Sequence, residues 1–380
     1  MDQSAKKEYK RIWLSPPHMS GKELKYIHEA FESNWIAPIG PNIEGFEKDL
    51  ESYLQNSSYV TAVTSGTAAI HLGLIMLGVR PGDEVLCQTK TFIASVNPVI
   101  YLGANPVLID SEKDTWNMCP ELLEKAIISR IKKGKRPKAI IVINLYGMPY
   151  KVEQIHTIAS KYGIPILEDS AQAIGSSYKN QKCGTFGDFS VLSFNGNKII
   201  TTSGGGALIS KSEKLKAKAV YLSTQAKEVG IHYSHKDIGY NYRMSNVSAG
   251  IGRGQMEVLE DRIASRRKIY NYYKDKLDNI EEISFLEEPE GFLSNRWLTC
   301  ILLKTQEQRD GILDLLLSKN IEARPSWKPM HMQPIFENVR AFLNGVSEDL
   351  FKRGLCLPSG SSMTDKDLNL IIKYIKAYFE

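Results

Sequence analysis

The sequence predicts an α/β protein: a large domain built on a mainly parallel sheet, then a smaller α+β C-terminal domain. Three observations predict it. Over the first 250 residues short β-rich runs alternate with helical patterns, as in a parallel sheet covered by helices. A long helical stretch then interrupts the alternation, and β and α segments resume in a different order beyond it. The length of 380 residues suits two or three folding units at roughly 100–200 residues each.

The expected strands of the large domain are Tyr59–Val63, Glu84–Cys87, Pro106–Ile109, Ala139–Asn144, Ile164–Glu168, Asp188–Phe194 and Gly206–Ser210. Helical periodicity falls between them at Thr67–Leu77, Ile93–Leu102, Pro120–Lys132 and Val152–Tyr162. One long helix is expected from Ser245 to Leu277, amphipathic at first and heavily charged later. It bridges a boundary near residue 255, which divides a domain of residues 1–255 from one of 256–380. The first 20 or so residues are free to pack elsewhere. Beyond the helix come a β segment near Trp297–Leu303, a helix near Gln306–Lys319, an aromatic and proline-rich loop, and a C-terminal helix from Asp365.

Composition excludes several classes. With 42% apolar and 24% charged residues the chain is neither disordered, collagen-like nor a disulfide scaffold. A net charge of +5 is compatible with an anionic small-molecule substrate and does not require nucleic acid. The basic run Lys132–Lys138 has no interleaved aromatic residues and reads as a solvated linker. Five cysteines, none in a C-x-x-C pair, read as reduced thiols. Met1 to Arg11 has no apolar leader, and the uncharged stretch Ala62–Val79 is too polar to span a membrane. A cytoplasmic protein without membrane or nucleic-acid partners is the expectation.

Four segments carry chemistry when taken together. Val63-Thr-Ser-Gly-Thr-Ala-Ala69 joins a strand to a helix, either an ordinary tight turn or backbone N–H groups arranged for an anion. Asp169, in Ile166-Leu-Glu-Asp-Ser-Ala-Gln172, sits at a strand's carboxyl end, where open α/β sheets bind ligands. It can cap the following helix, or hold a cationic ring nitrogen or a metal. Lys198 lies between the apolar runs Val191–Phe194 and Ile199–Ile200. Either it is an exposed turn lysine, or its pKa is lowered and it suits bonding to a carbonyl. Thr201-Thr-Ser-Gly-Gly-Gly206 lets backbone approach a ligand, but matches neither G-x-G-x-x-G nor a Walker A loop. An anion cradle, a carboxylate and a lysine from separate strand ends are what pyridoxal phosphate needs.

These motifs resemble the DegT–StrS family of nucleotide-sugar aminotransferases, a branch of the type I (aspartate aminotransferase-like) fold of pyridoxal-phosphate enzymes. The resemblance runs from about Ile12 to the C-terminus. It also rests on Thr91-Phe-Ile-Ala-Ser95 and Gly239-Tyr-Asn-Tyr-Arg-Met-Ser245. Finer likeness to the branch making UDP-linked 4-amino sugars lies in Trp13–Gly21, Asn34–Pro41 and Arg324–His331. The resemblance implies that Lys198 bonds the cofactor's aldehyde and shuttles the proton. It implies that Asp169 pairs with the ring nitrogen, and that Gln172 lies near the phenolic oxygen. Gly66, Thr67 and Ser193 would hold the phosphate, and Phe92 would stack on the ring. Asn241 would reach the phosphate of a neighbouring subunit, which implies a homodimer.

The implied reaction passes an amino group from L-glutamate to a keto nucleotide sugar for glycan or exopolysaccharide synthesis. Its substrate contacts are expected among Trp327, Lys328, His331 and Arg243. A lysine at 198, where some relatives carry histidine, favours transamination over dehydration. Alternatives are a dTDP-linked 3- or 4-keto sugar, or a pyridoxal-phosphate-binding regulator without turnover. An NAD-dependent sugar enzyme is disfavoured by the missing G-x-G-x-x-G. No metal site is expected, since His232 and His235 lack cysteine or carboxylate partners.

Overall fold

The computed structural model describes residues 11–55 and 57–380. The expected basic, leader-free N-terminus therefore lies, up to residue 10, outside the described residues. In chain order the first elements are α1 (Glu23–Glu32), α2 (Pro41–Leu54), β1 (Tyr59–Val63), α3 (Gly66–Met76), β2 (Glu84–Gln88), α4 (Asn97–Tyr101) and β3 (Asn105–Ile109). Next come α5 (Pro120–Lys132), β4 (Ala139–Ile143), α6 (Val152–Tyr162), β5 (Ile166–Asp169), β6 (Ser177–Tyr178), β7 (Gln181–Lys182), β8 (Phe189–Ser193), β9 (Gly206–Ser210) and α7 (Glu213–Ser223). The rest comprises α8 (Asn246–Met256), α9 (Leu259–Leu277), β10 (Ile283–Phe285), β11 (Phe292–Leu293), β12 (Thr299–Leu303), α10 (Gln306–Ser318), β13 (Arg324–Pro325), β14 (Ala341–Phe342), α11 (Val346–Arg353), β15 (Gly354–Leu357) and α12 (Asp365–Phe379).

The large sheet has the order β1-β9-β8-β5-β4-β2-β3-β14. Strands β8, β5, β4, β2, β3 and β14 pair in parallel, while β9 runs against both β8 and β1. The carboxyl ends of β1, β5 and β8 therefore share one edge. Successive residues of β4 point to opposite faces. Ile141 and Ile143 join the core that includes Leu72 of α3, and Ile140 and Val142 join the one that includes Leu123 and Ile155 of α5 and α6. Helices thus cover both faces. A second sheet, β10-β12-β15-β13, is antiparallel. Its core is built with Tyr273 of α9, Ile312 of α10 and Ile371 of α12.

Three expectations change. The long helix Ser245–Leu277 is two helices, because Val258 leaves helical geometry (φ −122°, ψ 13°). Glu260 and Asp261 open the first turn of α9, where acidic groups suit the helix dipole. The run Ile93–Leu102 divides into a 3-10 turn and α4, with Pro98 near the new start lacking a backbone N–H. The segment expected to begin a strand at Trp297 begins it at Thr299, which leaves Trp297 free for the cleft described below. Helices α1, α2, α7 and α11 were not expected at all. Of the N-terminal segment, Ile12 bridges to Ile321 and the Ser15 hydroxyl donates to the Asn197 carbonyl at 2.7 Å.

Candidate active site

The shared carboxyl edge of β1, β5 and β8 opens into a cleft of about 380 Å³. Lys198 lies in the connection from β8 to β9, where its Nζ sits 4.1 Å above the Trp297 ring. Among the described residues no hydrogen-bond or ion-pair partner holds that amine. Burial pulls its pKa from the usual 10.5 down to about 8; Asp169 opposes the shift and the Arg266 guanidinium adds to it. A neutral amine is thus accessible near physiological pH.

Asp169 ends β5, beside β8, and is 3% exposed. Its Oδ2 accepts from the Ser95 hydroxyl at 2.7 Å and its Oδ1 from the Ala171 N–H at 3.0 Å. Burial raises its pKa, which those two hydrogen bonds and the charge of Lys198 oppose. Glu168, the preceding residue, points the other way, as alternation along a strand requires. Its carboxylate is fully buried and accepts from six donors: Asn144, Ser170 and Ser190 side chains and the N–H groups of Gly184, Phe186 and Gly187. One carboxylate is saturated by the fold; the other faces the cleft.

Gly66 and Thr67 open α3 behind the Ser65 N-cap, whose side chain accepts from the Ala68 N–H. A Cβ on Gly66 would fall 3.1 Å from the Ser193 Cβ, so glycine keeps this corner open. A Cβ on Gly206 would lie 2.4 Å from the Gly66 nitrogen, so only glycine lets β9 start against the helix N-terminus. Gln172 accepts from the Tyr146 N–H at 2.7 Å. Phe92 is 54% exposed at the mouth, its ring 5.5 Å from Trp327. Trp327 lies 5.9 Å from Trp297, with which it forms an aromatic wall, and 5.0 Å from the buried Tyr146 behind it.

Lys198, Asp169, Gln172, Gly66, Thr67, Ser193, Phe92 and Trp327 thus line one cleft. Four other expected site residues lie apart from that lining. Asn241 is exposed and bridges to Thr224. Arg243 pairs with Glu47 and donates to the Ala62 carbonyl at 3.1 Å. His331 is wedged between the Thr89 hydroxyl (2.8 Å) and Glu348 (3.3 Å). Lys328 is half-buried on the Trp327 loop. Ser95, Tyr146, Asn197 and Trp297 went unremarked in sequence as site residues. None of the four carries a sequence signal; only the structure shows that Tyr146 adopts φ +54°, a strained conformation common at functional sites.

A lysine amine without a partner, a carboxylate facing it across the cleft and a glycine-lined helix N-terminus fit pyridoxal phosphate. Chemically the site is that of an aminotransferase. The model of the DegT/DnrJ/EryC1/StrS aminotransferase family matches residues 17–376, and the chain belongs to that family. It is a pyridoxal-phosphate-dependent sugar aminotransferase of the type I fold. It is 48% identical to EpsN of Bacillus subtilis (strain 168) over 375 residues, 98% of this chain and 96% of that protein. It is 36% identical to the GDP-perosamine synthase of Escherichia coli O157:H7 over 370 residues, 97% of this chain and 99% of that one. The structure of Spr1654 from Streptococcus pneumoniae in its PLP form superposes with a TM-score of 0.89 at 26% identity, covering 97% of this chain and 98% of that chain. Among the described residues no helix is long and apolar enough to cross a membrane.

Proposed function

We propose that this aminotransferase moves an amino group from L-glutamate to the C4 ketone of UDP-2-acetamido-2,6-dideoxy-hexos-4-ulose, a cytoplasmic step in bacterial glycan or exopolysaccharide synthesis. The observation that carries the reading is the Lys198 amine, which has no hydrogen-bond or ion-pair partner among the described residues and lines one cleft with Asp169 and an aromatic wall. When bound, the cofactor supplies the electron sink and carries the amino group between the two substrates.

In this reading Lys198 Nζ would hold the cofactor's aldehyde at rest and, once displaced by the amino donor, would move a proton between the substrate carbon and the cofactor carbon. Positioned acid–base transfer of this kind contributes about 10²–10⁴-fold. Asp169 holds the ring nitrogen, kept in place by Ser95 and the Ala171 N–H. Gln172, fixed by the Tyr146 N–H, would serve the phenolic oxygen. The N–H groups of Gly66 and Thr67 and the Ser193 hydroxyl would hold the phosphate, and Phe92 would pack against the ring.

Asn241, exposed and outside its own cleft, would serve the second copy of a homodimer. The exposed apolar residues Val229, Ile231 and Ile238 on the preceding loop support such a contact. Trp327 is read as the wall against the sugar nucleotide. Lys328, His331 and Arg243 would meet its diphosphate beyond the rim, where the anion competes with Glu348 for His331 and with Glu47 for Arg243.

The 36% identity to a GDP-perosamine synthase favours, as a second reading, a GDP-linked 4-keto-6-deoxy sugar. Adding UDP-, GDP- and dTDP-linked 4-keto sugars separately to the pyridoxamine form decides between them. The proposal expects the UDP sugar to restore the absorbance of the aldehyde form fastest. Restoration by the GDP sugar alone selects the second reading, and restoration by none rejects both.

A further inference from the structure

Two thiols 56 residues apart in sequence meet in the small sheet. Cys300 on β12 and Cys356 on β15 are direct cross-strand partners, both buried, with Sγ atoms 3.2 Å apart. Directly opposed antiparallel residues hold their Cα atoms roughly 4.5 or 5.5 Å apart, and both spacings fall within the reach of a disulfide.

The surroundings tie this pair to the active-site wall. Lys90 is fully buried, and its Nζ donates to the Trp327 carbonyl at 2.7 Å and to the Ser326 hydroxyl at 3.1 Å. Among the described residues it has no carboxylate ion pair, and a buried ammonium needs an anion. Burial pulls its pKa down to about 7, and the sulfur of Cys356 is foremost among the groups that oppose the shift. The Cys356 thiol is itself lowered by the hydrogen bond from Cys300, the Tyr146 hydroxyl and the Lys90 charge, while burial raises Cys300. The Tyr146 hydroxyl also accepts the Trp327 N–H at 2.8 Å. One cluster therefore holds both backbone polar groups of Trp327.

We propose that Cys300 and Cys356 are an oxidisable dithiol, and that closing it to a disulfide loosens the hydrogen-bond clamp on Trp327. With hydrogen peroxide as oxidant, the Cys356 thiol passes its proton to Lys90 as its sulfur attacks one peroxide oxygen. The O–O bond breaks, and the departing hydroxide takes a proton from Lys90 to become water. The Cys300 sulfur then attacks the sulfenic sulfur of Cys356. The S–S bond forms as the S–O bond breaks, and the leaving hydroxyl departs as a second water with the Cys300 proton. Two thiols are oxidised and one peroxide is reduced to two waters. Cys356 is also the register partner of Arg324 on β13, which leads into Ser326 and Trp327, so drawing its sulfur onto Cys300 shifts that strand and weakens both contacts to Trp327.

The test treats the cofactor-loaded full chain with hydrogen peroxide, blocks remaining thiols after denaturation and maps peptides by mass. A Cys300–Cys356 link that dithiothreitol reverses, with Cys87, Cys119 and Cys183 still alkylated, supports the dithiol. Alkylation of both Cys300 and Cys356 after peroxide, or sulfinic acid without a link, overturns it. Amide hydrogen exchange over the Trp327 peptide reads the coupling separately. Exchange several-fold faster in the linked form, reset by dithiothreitol and absent in a Cys300→Ser variant given peroxide, supports the clamp. Unchanged exchange in a linked protein overturns the clamp alone.

Discussion

The floor of the cleft and its far wall are built by different means. The floor comes from the ends of β1, β5 and β8, where sheet register fixes Asp169 beside Val191 and brings the α3 N-terminus to the same edge. The wall comes from Trp297 and Trp327, which belong to remote segments and are held by loop hydrogen bonds through Asn197, Tyr146 and Lys90. Register makes the floor rigid and ties it to chemistry every aminotransferase needs. The wall can vary without disturbing the sheet, which suits it to choosing a substrate.

Substitutions can break or sharpen that contrast. On the floor, Lys198→Ala should lower turnover by at least about 10²–10⁴-fold while circular dichroism stays native. Retention of more than a trace of transamination would contradict its assigned role. Asp169→Ala should cost on the order of 10²–10³-fold in kcat, as removal of a preorganised electrostatic group does. Dialysis should also strip the cofactor faster from that variant. Glu168→Gln, one residue away, should act in the opposite register. Replacing a buried acceptor of six donors should cost stability of about 1–3 kcal/mol, read as a lower Tm, with kcat of the folded fraction little changed.

On the wall, Trp327→Ala should raise KM for the sugar nucleotide roughly tenfold, the loss of an aromatic contact worth about 1–2 kcal/mol. Its glutamate half-reaction, followed by absorbance, should change little. The smallest effect is in pH. The amine must be neutral to bond the aldehyde, so cofactor uptake by the apo-protein should accelerate as pH rises through about 8, below the ordinary lysine range near 10.5.

The same contrast governs what the sequence disclosed. Asp169 and Lys198 follow apolar runs long enough to be recognised as strands, so their place at a carboxyl edge was legible. Ser95 and Tyr146 act through hydrogen bonds to residues far along the chain, and no periodicity encodes those. Trp297 looked like the start of a strand because an aromatic residue led an apolar run. Cys300 and Cys356 looked scattered because antiparallel pairing, not spacing, brings them together. The charged stretch after Ser245 gave no sign of its break, since Glu257 and Val258 are compatible with a helix until α9 restarts.

Two buried lysines with depressed pKa values lie near this cleft, Lys198 at about 8 and Lys90 at about 7. Only Lys198 lines the cleft with Asp169, whereas Lys90 is enclosed behind Trp327. Borohydride reduction of the cofactor-loaded protein fixes pyridoxal phosphate to whichever amine it bonds, and peptide mass mapping identifies that amine. The account predicts the modification on Lys198 and on no other lysine. A label on Lys90, or a loaded protein with Lys198 unmodified, would contradict it.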